Sequence, residues 1–153
     1  MTTTVGWIGA QPWSTGRVGM TGGSYDGWVQ WSSAALGSPS LAAIVPSVMA
    51  TDLHAGLVYR GGALNLGVLL TWGTRTSGRT RQRLDNQDWV EQFRHLPVAE
   101  AACNAGTDVP HWRDWIAHEG RDGWWTKTDL DPQFSGARAP ALVLGGWYDL
   151  YSS

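Results

Sequence analysis

The turn Gly22-Gly23-Ser24-Tyr25-Asp26-Gly27 constrains this chain more than any other stretch. A short apolar run, Arg17-Val18-Gly19-Met20-Thr21, precedes it and suits a buried strand entering a tight turn. From Tyr25 to Leu36 the pattern becomes helical, with Trp28, Val29, Trp31, Ser32, Ala34 and Ala35 supplying a small-and-aromatic face. Gly37-Ser38-Pro39 then stops it. Leu41-Ala42-Ala43-Ile44-Val45-Pro46 reads as the next strand. Strand, sharp glycine turn, helix and strand make a βαβ unit, so the order predicts a parallel sheet with a right-handed crossover. The expected fold class is α/β.

The flanking segments complete the pattern. Val5 to Trp13 reads as the end of a helix stopped near Pro12. Between about Asp52 and Gly136 the chain is polar, aromatic and interrupted, without strand alternation. Leu64 to Trp72 reads as helix, Asp88 to Ala105 has apolar residues at helical spacing (Val90, Phe93, Leu96, Ala99), and Trp112 to Ala117 gives a further turn or two. Pro140-Ala141-Leu142-Val143-Leu144 then reads as a third buried strand, closed by Gly145-Gly146 and followed by Asp149. The division expected is a core segment over 1–51, a helical cap over 52–138, and a core strand with an acidic loop over 139–153.

The glycine turn has the form of a nucleophile elbow. A serine on a strained strand-to-helix turn needs small residues beside it, so that strand and helix approach closely. The turn exposes the hydroxyl at the sheet edge and puts the next N–H, that of Tyr25, at a helix N-terminus where it can stabilise an oxyanion. A glycine-rich turn with an incidental serine fits the bare motif too; the strand before and the helix after favour the elbow. Ligands of open parallel sheets gather at the carboxyl ends of the strands. Ser24 and Asp149 are therefore expected on one functional edge.

Other chemistries find less support. Net charge is −2, and the only basic cluster, Arg75, Arg79, Arg81 and Arg83, reads as a solvated loop or helix end, so no nucleic-acid partner is expected. Cys103 is the single cysteine and reads as a buried structural thiol. His54, His95, His111 and His118 show no metal-ligand spacing and read as surface or packing residues, so neither metal nor cofactor is expected. The N-terminus lacks a basic region and apolar run, and no apolar stretch approaches a membrane span. A cytoplasmic protein with no membrane partner is the expectation. Eleven tryptophans suit core and pocket-wall positions; a sugar-binding module is the remote alternative they suggest.

The stretch Gly19-Met20-Thr21-Gly22-Gly23-Ser24-Tyr25-Asp26-Gly27-Trp28-Val29-Gln30-Trp31 resembles the elbow of the CocE/NonD hydrolases, a family of esterases, acylases and X-prolyl dipeptidyl peptidases. Pro140 to Asp149, with its Gly146-Trp147-Tyr148-Asp149, is similar to the segment carrying that family's triad acid. The resemblance implies a partial α/β-hydrolase core of parallel strands with a helical cap insertion. It implies Ser24 as nucleophile, Asp149 as triad acid, the Tyr25 N–H as oxyanion donor, and Trp72 and Tyr151 as pocket walls. The substrate class would be a small ester, an amide or a short peptide. The family order is Ser, Asp, His, and all four histidines precede Asp149. The expectation is thus a truncated hydrolase, unstable or inactive alone, with its catalytic histidine beyond the chain. The alternative is a non-catalytic remnant of the fold that binds a small molecule or a partner.

Overall fold

The computed structural model describes residues 3–78 and 85–151. They form two compact units, one built from residues 1–57 and 125–153 and the other from residues 58–124. The expected boundaries after residues 51 and 138 fall inside the first unit.

The first unit holds α1 (Thr4–Gly9), β1 (Val18–Gly23), α2 (Tyr25–Ala35) and β2 (Leu41–Ser47). Thr3 caps α1, its Oγ1 accepting from the Gly6 N–H at 3.1 Å. β1 and β2 pair in parallel, with Met20 opposite Ile44 and Gly23 opposite Ser47. α2 is the crossover that such a pair requires. Val5, Ala34, Leu41 and Ile44 are buried together, and Val18, Met20 and Trp31 pack on them. The core lies where one face of α2 covers the sheet. Trp31 also meets Phe134 at 5.1 Å between ring centroids, which ties a 3-10 segment (Asp131–Gly136) to α2. That contact, together with the backbone bonds of residues 140–144 to β2, joins the chain beyond residue 124 to the sheet.

Residues 141–144 run beside β2 as a third parallel line. Ile44 N–H donates to Pro140 O, Leu142 N–H to Ile44 O, Leu144 N–H to Pro46 O, and Val48 N–H to Leu144 O. A regular parallel ladder would add a donor from residue 46 to Leu142 O, and proline has none. The pairing is accordingly two isolated bridges, Ile44 with Ala141 and Ser47 with Leu144. The expected burial of this segment is not observed. Leu142, Val143 and Leu144 are all exposed, because nothing among the described residues covers them.

The second unit is mainly helical, with α3 (Leu66–Thr76), α4 (Trp89–Arg94), α5 (Ala101–Asn104) and α6 (Trp112–Ala117). Its buried side chains include Leu69, Leu70, Ala101, Ala102, Val109 and Trp112. The helical spacing over 88–105 resolves into α4, a 3-10 turn (Val98–Glu100) and α5. Pro97 imposes the break, since it removes a helical donor and disfavours helix at the residue before it. A two-residue hairpin, β3 (Tyr59–Arg60) with β4 (Ala63–Leu64), stands where no strand was expected. Gly61 and Gly62, at φ of 61° and 82°, supply the left-handed turn that joins such strands. Cys103 is exposed on α5, contrary to the buried thiol expected; its neighbours Ala101 and Ala102 take the buried face instead. Arg75 is exposed in the last turn of α3, while Arg79, Arg81 and Arg83 lie outside the described residues. Among the described residues no helix is long and apolar enough to cross a membrane.

Candidate active site

The site begins at the end of β1. Ser24 is exposed, with φ 56° and ψ −126°, a conformation that non-glycine residues rarely adopt. Such strain costs on the order of 1–3 kcal/mol and persists only where its surroundings hold it. Here the Ser24 N–H donates to Ser47 O at 2.9 Å and to Val48 O at 3.2 Å. Its carbonyl accepts from the Gly27 and Trp28 N–H groups and starts α2.

A serine at this N-cap position would ordinarily bond its hydroxyl to the helix N–H groups. Ser24 makes no such side-chain bond. The hydroxyl is turned out of the cap by the backbone angles. As first residue of α2, Tyr25 carries an N–H with no carbonyl of its own helix to receive it. Its side chain is exposed.

Two glycines make the turn possible. A Cβ on Gly22, which has φ 150°, would stand 2.7 Å from the Asp26 Cβ. One on Gly27 would stand 2.7 Å from Met49 Cγ and 3.1 Å from Ser47 O. Strand and helix therefore close to a distance that only bare backbone allows.

Asp149 follows the third parallel line, as Ser24 follows the first. Both lie beyond the carboxyl ends of one parallel sheet, with β2 between their strands. The Asp149 carboxylate accepts the Tyr151 N–H at 2.9 Å, and its own N–H donates to Gly146 O at 3.1 Å. A tight turn thus orients the carboxylate from its own backbone. Asp149 and Tyr151 share a cleft of about 370 Å³ with Val48, Met49, Leu144 and Trp147. Ser24 is outside this lining and is joined to it through its bond to Val48.

Val48 was not legible as a site residue. Its φ of 43° is an outlier for a β-branched side chain. The kink turns its N–H to the Leu144 carbonyl, on the line of chain that leads to Asp149, and its carbonyl to the Ser24 N–H. Nothing in a lone valine among apolar neighbours signals this.

Trp72 belongs to the second unit, half-exposed on α3. His54, in a π-helical turn (His54–Val58) after β2, lies edge-on to Trp125 at 5.0 Å. His95 ends α4. The His111 ring packs on Trp115 at 4.3 Å, and burial lowers its pKa against the opposing pull of Asp114. His118 bonds Asp122 at 2.7 Å and stacks on Trp124. The bond to His118, then that from the Trp124 N–H, hold the Asp122 carboxyl below its usual range. Among the described residues no group of three or more His, Cys, Asp or Glu could hold a metal ion.

The chain is 35% identical over 164 residues to cocaine esterase of Rhodococcus sp. (strain MB1 Bresler), covering 95% of this chain and 28% of that protein. It superposes on an aminopeptidase from the marine sediment archaeon Thaumarchaeota archaeon with a TM-score of 0.78 at 24% identity, over 95% of this chain and 26% of that one. An α-amino acid ester hydrolase gives a TM-score of 0.74 at 23% identity, over 97% and 27%. These likenesses establish the fold as part of an α/β-hydrolase core. The family model for X-Pro dipeptidyl-peptidase (S15 family) matches residues 1–153, and the chain belongs to that family.

Proposed function

We propose that this chain carries the nucleophile and the triad acid of a serine hydrolase that cleaves ester or amide bonds, X-prolyl peptide bonds among them. The observation that carries the reading is Ser24: exposed, at positive φ, with its hydroxyl unspent on the helix it precedes. Structural serines at helix starts do the opposite.

In this reading Ser24 Oγ attacks the carbonyl carbon of a small ester, amide or short peptide. A histidine takes its proton, and the carbonyl oxygen becomes an oxyanion facing the Tyr25 N–H. The tetrahedral species collapses as the histidine protonates the leaving alcohol or amine. Water then attacks the acyl-Ser24 ester by the same route in reverse roles. Asp149 orients the imidazole and stabilises its charged form. The order Ser, Asp, His puts that histidine C-terminal to Asp149. Tyr151, in the cleft with Asp149, and Trp72 on α3 are assigned to substrate contact, and the helical unit to the cap. The double displacement needs no cofactor.

Labelling with a fluorophosphonate probe, followed by peptide mass spectrometry on the full polypeptide carrying this sequence, tests the assignment. The probe is expected on Ser24, and Ser24→Ala should abolish labelling. Asp149→Asn should lower kcat for ester hydrolysis by about 10⁴-fold. A wild-type protein in which Ser24 stays unlabelled would defeat the reading.

A further inference from the structure

Gln30 is a fully buried amide, 1% exposed, on the helix face that covers the sheet. The rest of that face is small or aromatic, and a leucine or methionine would fill the volume without any polar atom to satisfy. Instead, every hydrogen-bonding direction that matters is used. The Gln30 Nε2 donates to Gly22 O at 3.1 Å and to Asp26 O at 2.9 Å. Its Oε1 accepts the Val45 N–H at 2.9 Å. One side chain therefore ties together the last turn of β1, the first turn of α2 and the middle of β2. Gly22 and Asp26 stand two residues before and two residues after Ser24.

We propose that Gln30 is a positioning residue of the elbow, fixing the angle at which the Ser24 hydroxyl and the Tyr25 N–H present themselves. The inference rests on the reading of Ser24 as nucleophile. The physical case is one of degrees of freedom. Ser24 sits in a strained conformation that would relax by rotating the peptides on either side of it. The peptide carbonyls of Gly22 and Asp26 bracket those rotations, and one planar amide holds both. A buried polar network whose members are all satisfied rigidifies what it joins. The Val45 bond anchors that amide to β2, the strand whose end receives the Ser24 N–H. Gln30 touches neither nucleophile nor substrate cleft, so its effect would come through the turn alone.

The test compares Gln30→Met, near-isosteric and without the hydrogen bonds, with Leu41→Ala, a buried change at the opposite end of β2. Both are made in the full polypeptide and studied below their unfolding midpoints. For Gln30→Met the fluorophosphonate labelling rate of Ser24 should fall about 100-fold, the scale expected when a reacting group is misplaced by about 1 Å. The kcat for p-nitrophenyl butyrate should fall by a similar factor with KM within twofold. Leu41→Ala should lower the unfolding midpoint yet label within about twofold of wild type, as a merely structural change would. Amide hydrogen exchange over residues 24–28 should accelerate in Gln30→Met and not in Leu41→Ala.

If Gln30→Met does not fold, Gln30→Glu, which keeps the acceptor for Val45, should label at least about tenfold slower. Ser24 labelled equally fast in wild type and the Gln30 variant overturns the proposal and leaves the nucleophile assignment standing. If Ser24 is unlabelled even in wild type, the nucleophile assignment fails, and exchange alone decides on Gln30: faster over 24–28 supports the clamp, unchanged exchange overturns it.

Discussion

Ser24 and Val48 are the two non-glycine residues at positive φ among those described, and they are hydrogen-bonded to each other. Each conformation costs about 1–3 kcal/mol. The bonds from Ser24 to Ser47 and Val48, and from Val48 to Leu144, hold the pair in place. The strain is therefore concentrated at the sheet rim, at the end of β2, between the strand that leads to Ser24 and the line of chain that leads to Asp149. His111 is another residue whose environment decides its behaviour. Its Nε2 is buried with no hydrogen-bond partner, and its ring lies on Trp115. Burial lowers its pKa, so the unfolded chain binds the proton more readily than the folded one. The stability contributed by neutral His111 is complete above about pH 6.5 and is lost as pH falls from there through the depressed folded value. The unfolding midpoint of the wild type should drop between pH 7 and 5, and His111→Phe should flatten that drop. Equal acid slopes in the two proteins would refute the assignment.

At the level of elements, the β1–α2–β2 crossover was readable because its punctuation is local. Gly22, Gly27 and the Gly37-Ser38-Pro39 stop fix where strand becomes helix and helix ends. Gly27 offers a test of how closely α2 approaches β2. Alanine in a helix interior is ordinarily favoured over glycine by about 1 kcal/mol. Here the added methyl would meet Met49 Cγ at 2.7 Å and the Ser47 carbonyl at 3.1 Å, and the backbone contact cannot swing away. Overpacking of this kind costs about 1–3 kcal/mol, so Gly27→Ala should destabilise by about 1 kcal/mol net. Urea unfolding monitored by tryptophan fluorescence would measure it; a more stable variant would mean the helix has room to spare. The helical unit was less legible. Periodicity in Val90, Phe93, Leu96 and Ala99 continues through Pro97, and only the backbone cost of proline divides it. The β3–β4 hairpin is two residues a side, too short for alternation to register.

Across the whole molecule, the first unit leaves apolar surface along residues 142–148. Trp147 and Tyr148 are almost wholly exposed, at 94% and 104%, beside the exposed Leu142, Val143 and Leu144. Among the described residues nothing pairs with the outer edge of this segment, and an exposed apolar edge is a template for association. The 153-residue chain by itself should self-associate at about 50 μM in sedimentation experiments, within the range where exposed strands aggregate. Val143→Lys should reduce that association, and a wild-type chain that stays monomeric there would count against it.

What the sequence determined by itself was the local and the periodic. Glycines that forbid a Cβ, an apolar run of strand length and a helical face together specify a parallel α/β unit with a serine at its turn. Two motifs at opposite ends of the chain specified a family, since each is a short contiguous signal. Tertiary structure alone decided the rest. That Val48 kinks between two strands, that Gln30 spends its amide on the turn and that Cys103 faces outward all depend on neighbours distant in sequence. Hydrogen-bond satisfaction and burial are properties of the packed chain, and no residue carries them in its own letter.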